Sequence, residues 1–258
     1  MLPPSPPGVL RRFRVALMFL TRIPVQLDPP PDARELAEAG DMFPVVGALI
    51  GAATGALFWA LATLGLPPLV AASVALAGQL LLTGALHEDG LADMADGFGG
   101  GFTRERKLEI MRDSRLGTYG GAALMLSLLA RVGLIAALPP EGAIAVLAVA
   151  QGASRWLLSA LRLGLAPARA PDQGGGLTAA VGATDALPIT LRATLPTLLL
   201  PLLLLGWGSV LPVALGLLIV WAGLRALCRW QIQGFTGDTL GASQQLSELM
   251  LLCLLVTR

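Results

Sequence analysis

The sequence predicts an all-α polytopic membrane protein, with about seven transmembrane helices behind an N-terminal interfacial helix, N-terminus inside and C-terminus outside. Three observations carry this. The 258 residues are 55% apolar and only 14% charged, with mean hydropathy +0.72, whereas a soluble domain carries about 25% charged residues. Residues 42–86 and 193–224 contain no charged side chain at all. Apart from Arg131, Arg155 and the last residue, Arg258, every Lys and Arg falls within 11–34, 104–115, 162–192 or 225–229, and none lies in 65–68, 139–141 or 207–209. By the positive-inside rule the first set faces the cytoplasm. Net charge +1 argues against a nucleic-acid partner.

Residues 9–23 set Arg11, Arg12, Arg14 and Arg22 around Val15, Leu17, Phe19 and Leu20, the pattern of a basic amphipathic helix lying on the membrane surface. A cleaved signal is not expected, because the apolar run is short, interrupted by arginines and lacks a small-residue cleavage site. Residues 28–41 read as a polar loop. Spans are expected at 43–64 and 69–87, separated by Leu66-Pro67-Pro68, then at 118–138 and 142–163 around Pro139-Pro140. The charge-free run 193–224 would extend about 48 Å as one helix. Gly206-Trp207-Gly208 and Pro212 divide it into spans near 187–206 and 210–228. A last span covers 241–256.

Between the second and third spans, residues 88–117 are expected as a cytoplasmic acidic and glycine-rich loop. Further cytoplasmic loops are expected at 164–186 and 229–240. Gly97-Phe98-Gly99-Gly100-Gly101 should break the helix, and Thr103 should cap a short charged helix to about Arg115. No internal repeat is evident. Cys228 and Cys253 lack metal-type spacing and read as buried free thiols.

The chemistry concentrates at residues 87–119. Asp89, Asp93 and Asp96 stand at i, i+4 and i+7, within roughly 60° of one another around a helix axis. Three carboxylates on one face repel each other, and no basic residue lies three or four positions away to relieve them. A divalent cation is the simplest relief. Mg²⁺ suits carboxylate oxygens and commonly shares a substrate phosphate. The competing reading is a solvated helix face, which usually alternates in sign.

Asp113, in Arg112-Asp113-Ser114-Arg115, could complete the metal shell or belong to an ordinary surface helix. Arg112 and Arg115 could hold phosphate oxygens. His87, the single histidine, points off the Asp face, and an interfacial role competes with a catalytic or phosphate-contacting one. Arg131 and Arg155 interrupt apolar spans, which marks them as functional candidates unless they snorkel. Arg155 is the better phosphate candidate. Glu248 is expected to pair with an arginine or line the same cavity as Asp238. Glu88 lies roughly 100° off the Asp face and is left out of the site. These residues alone describe a membrane enzyme handling a phosphate or diphosphate with Mg²⁺.

At His87-Glu88-Asp89-Gly90-Leu91-Ala92-Asp93-Met94-Ala95-Asp96-Gly97 the chain resembles the cobalamin synthase family, the adenosylcobinamide-GDP ribazoletransferases. The resemblance continues through Thr21-Arg22-Ile23-Pro24-Val25, Phe43-Pro44-Val45-Val46-Gly47, the run from Leu108 to Thr118, Ser154-Arg155, and Gly237-Asp238-Thr239-Leu240-Gly241-Ala242 to Glu248. Glu88 departs from the apolar residue more usual there, and 164–186 matches poorly outside its glycines.

The resemblance implies one integral-membrane transferase domain over residues 1–258, in the cytoplasmic (inner) membrane of a prokaryote with its site facing the cytoplasm. It implies transfer of the cobinamide-phosphate moiety of adenosylcobinamide-GDP to α-ribazole or its 5′-phosphate, with GMP released. On that reading Asp89, Asp93, Asp96 and Asp113 are catalytic and metal-binding. His87, Arg112, Arg115, Arg155, Asp238 and Glu248 contact substrate or phosphate, and Mg²⁺ is the cofactor. The partners are the two substrates and the lipid bilayer, with a homo-oligomer left open.

Two rival classes are weaker. CDP-alcohol phosphotransferases and prenyltransferases also space aspartates around metal. The CDP-alcohol signature continues Asp-Gly-x-x-Ala-Arg, however, and Asp172 and Asp185 lie too far apart for a second Asp-rich motif. A cation-coupled transporter would place ionisable groups at the bilayer midplane in repeated halves.

Overall fold

The computed structural model describes residues 7–169, 181–182 and 184–256. The glycines at 174–176 and Asp172 lie outside the described residues. Among the described residues the chain is all-helical, without a named strand; one isolated bridge joins Pro167 to Phe235. Its helices are α1 (Val9–Leu20), α2 (Ala33–Glu38), α3 (Phe43–Thr63), α4 (Pro68–Thr83), α5 (Leu86–Gly100), α6 (Arg104–Ile110), α7 (Thr118–Ala136), α8 (Pro140–Ser154), α9 (Leu157–Ala160), α10 (Ala186–Leu205), α11 (Trp207–Gln231) and α12 (Gly237–Val256). A 3₁₀ turn, Ala39–Met42, joins α2 to α3.

Among the described residues six helices are long and apolar enough to cross a membrane, or seven if the bent pair α4–α5 counts as one span. The apolar runs therefore mark the spans as expected. Proline starts three of the helices at N1 or N2, in α3, α4 and α8, where its missing N–H costs nothing. The span expected at 142–163 is interrupted after Ser154, and Arg155 caps α8 before the short α9.

Backbone contact between helices is set by small residues. Gly47, Gly51 and Gly55 recur every fourth position along α3. A Cβ at Gly47 would lie 2.5 Å from the Gln151 carbonyl oxygen, and one at Gly55 would lie 2.6 Å from Ile144 Cα; one at Gly51 would meet the Leu147 carbonyl. The partners descend in number as the glycines rise, so α3 and α8 pack antiparallel with backbones nearly touching, the arrangement that small-xxx-small stripes permit. We expect Gly51→Val to force these helices apart and destabilise the fold by roughly 1–3 kcal/mol, measured as a fall in Tm in detergent. Gly133→Val, where no atom lies within 4 Å of the added carbon, should leave Tm nearly unchanged.

The N-terminal segment is tied down more firmly than a surface helix. Val15, Ala16 and Leu20 of α1 are buried against Phe43, Val46 and Ile50 of α3. Arg11 pairs with Glu35 at 2.6 Å. Asp41, 1% exposed, takes Arg12 and Arg192 at 3.1 and 2.9 Å, and Arg192 also pairs with Glu38. The polar loop expected over 28–41 thus holds α2 and an ion-paired clasp. Cys228 is buried, but Cys253 is exposed, correcting its expected burial.

The largest departure lies at the acidic stretch. The second span ends at Thr83, where Gly84 and Ala85 both adopt left-handed backbone (φ 68° and 55°), and α5 leaves at 91° to α4. Residues 88–117 are therefore not one loop: α5 runs through the first glycines to Gly100. Each interior glycine costs about 1 kcal/mol of helix propensity, and close packing offsets it. Gly90 meets Asp238 and Gly241 of α12, Gly97 meets Met111, and Gly99 meets the Tyr119 ring. The helix stops only at Gly101, which is extended. Thr103 then caps α6 as expected, accepting from Arg106 N at 3.2 Å, but the helix ends at Ile110 and not near Arg115.

Candidate active site

Because α5 crosses the bundle, its two sides meet different worlds. The Asp side faces the N-terminal turn of α12 and the α6 segment. Asp89 is exposed, Asp93 half-buried and Asp96 buried. Asp93 feels Asp89, Asp238 and Asp96 around it; partial burial first, then these like charges, push its carboxyl up to about 7, with Arg169 opposing. The shared face expected from the i, i+4, i+7 spacing thus exists, and Asp238 joins it from another helix.

Asp96 has a second duty. Its carboxylate accepts Gly117 N at 2.7 Å and Gly120 N at 2.8 Å, satisfying two of the orphan amides at the start of α7. Asp113 is paired with Arg115, which approaches it at 3.0, 3.1 and 2.5 Å; that guanidinium lowers Asp113 to about 2. Among the described residues no three His, Cys, Asp or Glu side chains close into a ready-made metal cage. The oxygen-only character of the Asp89, Asp93 and Asp238 group, whose like charge Arg169 relieves only in part, nevertheless fits Mg²⁺. That ion usually takes one or two carboxylates and completes its shell with water and phosphate.

Two concavities flank this face. One, about 270 Å³, is lined by apolar side chains of α1, α2 and α3 and by His87, Asp89, Arg162 and Asp238. The other, about 640 Å³, is a polar cleft that sets Arg104, Arg112 and Arg169 beside Glu105, Glu109 and Asp113. The Arg169–Asp238 ion pair, 3.5 Å, stands between them, since Asp238 lines the first and Arg169 the second. A third hollow joins Asp96, Asp113 and Arg115. Arg104 is anchored to the Ile232 and Ala168 carbonyls at 2.9 and 2.6 Å, which fixes the floor of the polar cleft. Arg104, Arg162 and Arg169 were not singled out in the sequence; no local pattern distinguishes them from other arginines in basic segments.

The opposite side of α5 enters a buried polar network. Glu88, left out on sequence grounds, receives Arg131 Nη1 at 2.7 Å. Arg131, 0% exposed, also pairs with Glu248 at 3.0 Å and donates to Gln245 Oε1 at 3.0 Å. Gln244 donates to Glu248 and to Ser154 at 3.0 and 3.1 Å. Arg155, 1% exposed, donates to the Gln151 carbonyl at 2.7 Å and to its side chain. Neither arginine snorkels. Glu248 meets the expectation that it pairs with an arginine, but neither it nor Arg155, both also expected at substrate, lines any of the three hollows described above; they bind the bundle from within. Two guanidiniums and two carboxylates balance here, which is how buried charge becomes tolerable. His87 is buried at the head of α5 and lines the apolar cavity, with Nε2 lacking a hydrogen-bond partner.

The family model for cobalamin-5-phosphate synthase matches residues 12–256. A protein of Mesorhizobium japonicum named adenosylcobinamide-GDP ribazoletransferase is 43% identical over 249 residues, 96% of this chain and 93% of that relative. Similarly named proteins of Azorhizobium caulinodans and Ralstonia nicotianae are 45% and 40% identical over 95% of this chain, covering 94% and 95% of their own lengths. No solved structure matches. With the match running from α1 to the end of α12, the chain belongs to the cobalamin-5-phosphate synthase family.

Proposed function

We propose that this enzyme transfers the cobinamide-phosphate moiety of adenosylcobinamide-GDP to α-ribazole or its 5′-phosphate, releasing GMP. A ribose hydroxyl of the acceptor attacks the phosphorus that carries cobinamide. The new P–O bond forms there, the P–O bond to GMP breaks, and the hydroxyl proton passes to a carboxylate. The observation that carries this reading is the meeting of the Asp89–Asp93 face with Asp238 and Arg169 between an apolar cavity and an arginine-lined cleft. A two-substrate phosphoryl transfer needs such a juxtaposition.

Mg²⁺ would be held by Asp89 and Asp93, with Asp96 and Asp113 from neighbouring hollows as further candidates, and when bound it supplies charge neutralisation for the diphosphate. Arg112 and Arg169 orient phosphate oxygens in the polar cleft, and Arg115 presents its fork beside Asp96. Asp113, lowered by Arg115, makes a poor proton acceptor. Asp238, at the cavity rim, is the better placed base. On this reading the arginine-bearing segments and this face lie on the cytoplasmic side, with the N-terminus inside and the C-terminus outside, in the inner membrane of a prokaryote.

The test is turnover by detergent-purified protein given adenosylcobinamide-GDP, α-ribazole 5′-phosphate and Mg²⁺. GMP and a cobalamin product should form together, and both should vanish with EDTA and return with excess Mg²⁺. Absence of both products from folded protein, with Mg²⁺ present, would sink the reading. CDP-alcohol transfer would then be assayed next.

A further inference from the structure

The cavity of about 270 Å³ beside Asp89 is not explained by phosphate chemistry. Most of its wall is apolar: Phe19 of α1, Leu36 of α2, Phe43 of α3, Leu158 of α9 and Leu240 of α12. The Phe19 and Phe43 rings stack, with centroids 5.6 Å apart and planes 15° from parallel. One end is polar, with His87, Asp89, Arg162 and Asp238. His87 and Arg162 are only 4% and 6% exposed, and their Nε2 and Nε have no hydrogen-bond partner. A buried polar atom left unpaired is costly. The cavity is therefore shaped for an occupant that is flat and apolar at one end and carries hydrogen-bonding groups at the other.

A diphosphate does not fit this description. The one guanidinium in the wall, Arg162, already donates through Nη2 to the Val181 and Thr184 carbonyls at 2.5 and 2.9 Å. The volume lies just under the ~300–1,000 Å³ typical of ligand pockets, far too small for a tetrapyrrole-sized macrocycle and adequate for a two-ring nucleoside. One wall, with Phe19, Leu36 and Phe43, comes from the N-terminal segment, which the Arg11–Glu35 and Arg12–Asp41 pairs hold in place.

We propose that this cavity is the acceptor subsite, taking the apolar bicyclic base of a ribonucleoside against Phe19, Leu36 and Phe43. The ribose then points to His87 and Arg162, and the reacting hydroxyl reaches Asp89 and Asp238. This rests on the transferase reading above. It makes α1 and α2 a specificity wall of the enzyme in addition to a membrane-surface element.

Binding separates the two claims, because the acceptor subsite needs neither donor nor metal. The whole protein in detergent with EDTA is titrated with α-ribazole by equilibrium dialysis, with adenosine as the polar-base control. α-Ribazole should bind and adenosine should compete at least about tenfold more weakly. Leu36→Trp fills the cavity from its half-buried rim, and Phe19→Leu removes the stacked face. Each should weaken α-ribazole binding and raise its KM by about tenfold or more, while the KM for adenosylcobinamide-GDP stays within about twofold. Wild-type affinity and KM in Phe19→Leu and in folded Leu36→Trp would overturn the subsite. Displacement of α-ribazole from wild type by phosphatidylglycerol micelles, with both variants unaffected in nucleoside KM, would also overturn it and mark a lipid pocket. Wild type that binds α-ribazole yet releases no GMP from the donor would sink the reaction while leaving the subsite standing.

Discussion

Asp93→Asn should abolish turnover while leaving the protein as stable as wild type, or more so. At least about a hundredfold should be lost from kcat, the scale seen when one preorganised charge contact to a transition state is removed. The expected gain in Tm has a distinct cause. Asp93 sits half-buried among Asp89, Asp238 and Asp96 with its carboxyl pushed up to about 7, so its ionised form is disfavoured in the fold. Replacing the carboxylate by a neutral amide removes that repulsion, a familiar trade of function against stability.

The pH dependence follows in sign. Between about pH 4 and 7 the folded state holds the Asp93 proton more tightly than the unfolded chain does, so in EDTA this group makes stability fall as pH rises through that window. The slope should shrink in Asp93→Asn and in wild type with Mg²⁺. Asp96→Asn should behave differently. It removes one of the two oxygens that accept the Gly117 and Gly120 amides, and an amide N–H would then face a backbone N–H. Its Tm should fall, in keeping with ~0.5–2 kcal/mol for a lost cap. Thermal melts and GMP release on the same preparations check all of this. Equal activity loss with equal Tm in all three Asp→Asn variants (89, 93 and 96) would show that Asp96 is a ligand first and a cap second.

That contrast shows where the sequence was readable. Spans over 43–64, 118–138, 187–206 and 210–228 come through because long apolar runs with at most one charged residue each admit only one solution in hydrocarbon. The shared face of Asp89, Asp93 and Asp96 came from helix arithmetic alone, which is local. The bend at Gly84-Ala85 was not legible, because alanine carries no turn signal and its left-handed backbone is imposed by what α4 and α5 pack against. The glycines from Gly97 to Gly100 looked like a breaker, since propensity counts their cost but cannot see the Met111 and Tyr119 side chains that need the space. The same limit explains Glu88. Turning it roughly 100° away from the aspartates was correct, but the partner on that side, Arg131, lies 43 residues on, and no local pattern names it. Arg192 and Asp41, 151 residues apart, are another such pair.

Arg131→Met should be the most destabilising substitution in the molecule. Met keeps much of the volume and removes the charge, leaving Glu88 and Glu248 buried with only Arg155 and the glutamine amides nearby. Breaking a buried pair from one side costs about 3–5 kcal/mol, comparable with the whole net stability of many domains. The variant should therefore fail to accumulate as monodisperse protein in detergent. The same reasoning predicts rescue. Adding Glu88→Gln and Glu248→Gln to Arg131→Met removes both stranded charges, because apolar or neutral replacement of a whole buried ion set is often neutral in energy. The triple variant should recover most of the lost folded yield. Its activity decides what the network is for. Recovered fold with near-normal GMP release would make the network a structural joint between α5, α7 and α12. Recovered fold with turnover still lost would mean that Arg131 sets the register of α5, and that the aspartate face works only when Glu88, one position before Asp89, is anchored on the far side of the same helix.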